Sequence, residues 1–317
     1  MGFEKLPQAA VTAPSATKPV APKDGAARRG LARWPRPLRW LLAIAVPMAL
    51  WYGALGTWRA GVEVDLSLRP TVEQLPPGGS VTLGMVARLI ERQVDERAFT
   101  PNDPFFYPTG LTRRTPAFQA SLVETLSASV NAMAAVGGSD GLATAAEELA
   151  VSPELWWVRA GWPPVGRPAE RHYRAARLAL EETNANLAAR QFEHGSFAAS
   201  QRERDAVLRA LLAEIEAEAA RGDQLIRDPR AAAVPVQIAR ARGTAYAAAM
   251  VLRGLSEDNA GDIRTSGRAA RWGEARDALD SVARLDPLVP RGEHLVRAGY
   301  SLLMAGNALR AILEGQG

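Results

Sequence analysis

Residues Gly137-Gly138-Ser139-Asp140-Gly141 match G-x-S-x-G, the turn that presents a nucleophilic serine in many hydrolases. That chemistry needs a strand before the serine and a helix after it, so that a strained turn exposes the hydroxyl. Here apolar residues at helical spacing precede the serine, so the stretch reads as a glycine helix end followed by an N-cap Ser139 or Asp140. Carboxylates occur as the pairs Glu147-Glu148 and Glu181-Glu182 and as the run Glu214, Glu216, Glu218. Two convergent carboxyls can act as general acid and base. Adjacent helical residues point about 100° apart, so the pairs do not share a face and most of these acids read as solvated helix surface. His172, His194 and His294 are too far apart for a local zinc pair, and there is no Cys, so no metal site and no cofactor is expected. No P-loop or dinucleotide fingerprint is present.

The segment FTPNDPFFYP (99–108) sets three adjacent aromatics between prolines, which is costly to leave in a solvated loop. It reads as a plug for a helix bundle or as a recognition surface. Asn102 and Asp103 form side-chain turns that fix such a loop. Asn102, Asp103, Phe105, Phe106 and Tyr107 are therefore the candidate binding residues, and Asp103 is the catalytic candidate. Asn184 and Asn186 stand in an otherwise helical run where Asn is a mediocre helix former, which suggests a groove or helix-to-helix hydrogen bonds.

The elements that must position these residues read as helices. Met85, Val86, Leu89, Ile90 and Val94 mark one over 80–98. Thr115 as N-cap and Pro116 as first residue open the next, which runs to Gly137-Gly138. Further helices follow over 140–149, 169–194, 197–221, 235–255, 268–285 and 292–314. RWGEARDALDSVARLDP (271–287) approximates half of a tetratricopeptide unit, but no second copy appears, so it reads as one helix ended by Pro287. The expected class is all-α, a bundle of seven or eight helices after a single N-terminal membrane helix.

That membrane helix rests on WLLAIAVPMALWYGALGTW (40–58), nineteen residues without a charge. As a helix it would span roughly 28 Å, close to the hydrocarbon thickness of a bilayer. Trp34, Trp40, Trp51, Tyr52 and Trp58 suit interfacial belts, and Arg28, Arg29, Arg33, Arg36 and Arg39 on one flank put the N-terminus in the cytoplasm. The expected organisation is a disordered basic cytoplasmic tail (1–37), a transmembrane helix (38–59), an extended connector (60–79) and an α-helical periplasmic domain (80–317). Ala45, Ala49 and Gly53 recur every four residues, a stripe through which two such helices can approach as a homodimer. The whole-chain pI of about 9.7 suggests a polyanion partner. However, residues 1–58 carry eight basic and two acidic side chains, whereas the other 259 carry 30 Arg, no Lys and 32 acids. The basicity is a local topology signal, and no nucleic-acid partner is expected.

Three stretches, PNDPFFYPTGLTRRTPAFQASLVETL (101–126), RHYRAARLALEETNANLAARQFEHG (171–195) and HLVRAGYSLLMAGNALRAIL (294–313), resemble the DUF2333 family, bacterial membrane-anchored proteins of unknown function. Where family members continue with an Asp-Asn-Met-Pro-Asn-Phe-Gln-like string, this chain has Arg113, Arg114, Thr115 and Ala117 and keeps Pro116, Phe118 and Gln119. The resemblance implies an anchored envelope protein of the bacterial inner membrane and brings no assigned activity. The functional expectation is a single-pass protein that binds or scaffolds other envelope proteins. The alternative is a hydrolase of a peptidoglycan-type polymer, using carboxylates near the 101–108 loop. A ligand sensor signalling through the membrane helix ranks last, because the tail is too short for an output domain.

Overall fold

The computed structural model describes residues 36–50, 62–104, 113–157, 165–194, 201–228, 230 and 232–315. The chain divides into two compact units, Met1–Leu50 and Trp51–Gly317. In the first, α1 (Arg36–Leu50) is a 15-residue helix with Pro47 inside it. Its large apolar side chains Trp40, Leu41, Ile44 and Leu50 are 60 to 73% exposed. Among the described residues no helix is long and apolar enough to cross a membrane. The expected span is described only as far as Leu50, and residues 51–58 lie outside the described residues, as does most of the 1–37 tail. Of the small-residue stripe, Ala45 and Ala49 are exposed on α1, and Gly53 lies outside the described residues.

The second unit is an all-helical bundle with no strand among its described residues. Its helices are α2 (Val81–Glu91), α3 (Arg114–Gly137), α4 (Asp140–Leu149), α5 (Ala169–His194), α6 (Gln201–Arg227), α7 (Val234–Asp258), α8 (Ala260–Thr265), α9 (Ala269–Ala283) and α10 (Gly292–Glu314). The expectation of seven or eight is therefore corrected to nine among the described residues; the addition is the short α8, whose six residues carry too little apolar pattern to show a period. The expected 80–98 helix is α-helical only to Glu91 and continues as a π-turn, Arg92–Glu96. Thr115 is not the N-cap of α3: Arg113 is, and Thr115 is buried in the first turn. Pro116 is tolerated there because the first-turn N–H groups have no intrahelical acceptor.

The centre of the bundle is α7, whose run GTAYAAAMVL is buried on every side. A helix apolar all round belongs in the interior. Its small residues let neighbours come close: a Cβ on Gly243 would meet the Phe118 carbonyl oxygen of α3 at 2.2 Å. Phe118 stacks on Tyr246, ring centres 6.2 Å apart. Residues 62–79 form a non-helical arm folded through several turns, whose Leu68 is buried and whose Val62, Val64 and Leu66 pack on the core. The Tyr246 hydroxyl donates to the Asp65 carbonyl at 3.0 Å, Arg253 donates to that of Leu66, and Arg69 pairs with Glu257 at 2.7 Å.

Candidate functional site

Of the expected loop residues, Asn102 and Asp103 are described, whereas Phe105, Phe106 and Tyr107 lie outside the described residues. The Asn102 side chain is buried, and its amide donates to Glu170 Oε2 at 2.7 Å and to the Leu155 carbonyl at 3.2 Å. It is a strut joining the loop to the start of α5. Asp103 is half-buried, and its N–H closes a turn on the Thr100 carbonyl at 3.1 Å. The carboxyls that burial raises, Glu214, Glu218 and Asp280, sit on α6 and α9 and not beside this loop turn.

A cavity of about 660 Å³ opens elsewhere, among the α3–α4 corner, the start of α2, the faces of α5 and α6 and the end of α7. The corner is the G-x-S-x-G match. Gly138 adopts φ 58°, the left-handed conformation that ends helices and favours glycine. Ser139 takes the N-cap position of α4 without a side-chain capping bond, and α-helix rather than strand precedes it. Gly141 packs against α5, where a Cβ would stand 2.2 Å from Thr183 Oγ1. Among the described residues no histidine lines the cavity, and its carboxylates are those of Asp140, Glu182, Glu203 and Asp258.

The cavity's other wall is built by Asp258 at the end of α7. Its carboxylate accepts from Val81 N at 2.7 Å, Thr82 N at 3.0 Å, Ser80 Oγ at 2.8 Å and Thr82 Oγ1 at 2.6 Å. The first turn of α2, where orphan N–H groups and the helix dipole favour an anion, is thus occupied by the chain's own carboxylate. Asn184 of α5 completes the joint: it accepts from Ser80 N at 2.7 Å and donates to the carbonyls of Gln74 at 2.7 Å and Ser80 at 3.0 Å. Asn186, two residues on, is exposed and lines the cavity. The two asparagines divide the expected roles, one bonding between elements and one facing a groove.

Around the opening stand Asp140, Glu182 and Glu203 with Arg190 and Arg204. Arg204 is buried, pairing with Asp205 at 3.3 Å and Asp262 at 3.2 Å. Charges of both signs, hydroxyls and glycine backbone around one opening suit recognition of a polar partner. Among the described residues no group of three His, Asp or Glu is placed to hold a metal ion. Sequence reasoning missed Ser80, Asp258, Glu203 and Arg204. The Gly78-Gly79-Ser80 string before an apolar run is a legible N-cap signal for the first; the others meet only through the fold.

No family profile matches this chain, and no curated protein or solved structure matches it.

Proposed function

We propose that the chain is a single-pass membrane protein of the bacterial inner membrane whose helical unit, in the periplasm, binds another component of the envelope. The observation that carries the anchor is the uncharged run 40–58, whose first eleven residues are helical with large apolar side chains turned outward. In water such exposure is unfavourable by roughly 25 cal/mol per Å², and a lipid surface removes it. The arginines before Trp40 support an N-terminus in the cytoplasm. The likeness of the PNDPFF segment to the DUF2333 family supports the same placement. Binding is favoured over polymer hydrolysis because Asn102 is held as a structural strut, while the cavity at the α3–α4 corner offers hydroxyls, glycine backbone and charges of both signs to a polar partner. The Ala45, Ala49, Gly53 stripe supplies a face on which two anchors can pair.

Fusions after residue 317 test the orientation. An alkaline-phosphatase fusion is expected to be active in cells, and a cytoplasmic fluorescent reporter at the same site dark. The reverse pattern sinks the placement.

A further inference from the structure

α10 is apolar nearly all round. From Leu295 to Leu313 its only Asp, Glu, Lys or Arg residues are Arg297 and Arg310. One stripe, with Leu295, Ala298, Leu302, Ala305, Leu309 and Ile312, is buried, and the helix packs on α6, α7 and α9. The opposite stripe is uncovered. Val296, Tyr300, Leu303 and Met304 follow one another at helical spacing and are 45 to 65% exposed. Just ahead of the helix Leu288 is 99% exposed and Val289 62%. A helix apolar on both sides belongs between two layers, and the described residues supply one.

Of the twelve large apolar side chains exposed in the described part of the second unit, six fall in 288–304. The others are spread over the arm, α3, α5, α6 and the loop before α5, as scattered residues of the ordinary kind. A cluster instead marks an interaction surface. The six together expose roughly 700 Å², close to the ~800 Å² that each partner brings to a standard protein–protein interface. A helix face is convex, so its occupant is another surface and not a small molecule.

The pattern of the stripe selects that surface. Tyr300 stands at its midpoint, four residues from Val296 and four from Met304. A second α10 laid antiparallel, with a twofold axis at Tyr300, sets Val296 against Met304 of the second copy and Met304 against its Val296. The patch then covers itself in full, which is what a twofold interface requires. Tyr300 meets its own counterpart at the centre, where aromatic anchors carry most binding energy. Arg297 points about 100° away from Val296 and so stands beside the seam. We propose that the second unit dimerises with a second copy of this chain through the exposed face of α10, antiparallel about an axis at Tyr300. This interface is separate from the Ala45, Ala49, Gly53 stripe, and the pairing does not depend on the anchor.

The chain has no Cys, so single-cysteine variants report contacts without background. The test oxidises the full chain in detergent micelles. Tyr300→Cys is expected to give a covalent dimer. Val296→Cys and Met304→Cys are each expected to give none, and their mixture to give one. Val72→Cys, exposed on the arm, is the control that should stay uncrosslinked. In sedimentation equilibrium Tyr300→Ala is expected to raise the dimer dissociation constant at least about thirtyfold, the effect of losing a central anchor. Its circular dichroism should match the parent's, because the side chain touches little of its own copy. In phosphatidylethanolamine–phosphatidylglycerol vesicles, a nitroxide on Leu303→Cys separates the other occupants. Shielding from both dissolved oxygen and an aqueous nickel complex is expected. Access to oxygen alone would mean a lipid surface covers the stripe, and access to the nickel complex that nothing does; either overturns the proposal. So does a parent that stays monomeric, a Val296→Cys dimer formed as readily as that of Tyr300→Cys, or a dimer unmoved by Tyr300→Ala, the result that pairing through the anchors alone would give.

Discussion

Glu218 follows Leu208, Leu211 and Ile215 on the buried stripe of α6 and has no exposed side-chain surface. Gln237 donates to it at 2.8 Å and Arg221 at 2.6 Å, with Arg240 3.7 Å away. Burial pushes its carboxyl above the usual glutamate range, against the downward pull of Arg240 and Arg221. The folded state therefore holds this proton more tightly than the unfolded chain. Its contribution to stability is fully present at low pH and is lost as pH rises from the ordinary glutamate value through the raised one. Glu218→Gln removes that dependence and keeps an acceptor for Gln237. Urea-unfolding free energies across this window should show the variant gaining on the parent as pH rises; a constant difference would contradict the assignment. The sequence presents Glu218 as solvated because it is charged, yet its spacing after Leu211 and Ile215 placed it on the apolar face all along. Asn184 was legible for the opposite reason: it is a poor helix former inside a strong helix, and such a residue is kept for its bonds.

At the scale of elements, close approach at glycine sets how α4 lies on α5. Gly141→Ala would drive its Cβ to 2.2 Å from Thr183 Oγ1. Overpacking of this kind typically costs about 1–3 kcal/mol. Adding Thr183→Ala deletes the clashing hydroxyl, so the double variant should recover most of the lost stability in chemical denaturation, an interaction that additive effects would not give. The long helices were readable because each buries a stripe at helical period: the 169–194 run coincides with α5 as observed. The π-turn was not readable, since Val94 satisfies an α-helical pattern nearly as well as a π one. The end of α7 was missed because SED carries no apolar residue, and its Asp258 bonds to α2, a partner remote in sequence.

Over the whole molecule, charge and apolar surface are segregated along the chain. All three lysines and five arginines precede residue 40, and every basic residue from Arg59 onward is arginine. Ala49 stands at the middle of the uncharged run 40–58. Arginine at the centre of a membrane helix costs about 2.5–3.5 kcal/mol on the insertion scale. Ala49→Arg is therefore expected to lower the carbonate-resistant membrane fraction sharply, whereas Val72→Arg, at a position 80% exposed in the second unit, should leave it unchanged. Equal retention of both variants would argue against the anchor. The bonds between the 62–79 arm, α2 and the far half of α7 have a temporal meaning as well. Asp65, Arg69 and Ser80 find their partners 181, 188 and 178 residues later in the chain. During translation the arm and the first turn of α2 emerge long before Tyr246, Glu257 and Asp258 have left the ribosome. Nascent chains shorter than this carry Leu68 and the α7-facing side of α2 uncovered, so the unit closes late in synthesis and depends in that interval on whatever shields the emerging chain.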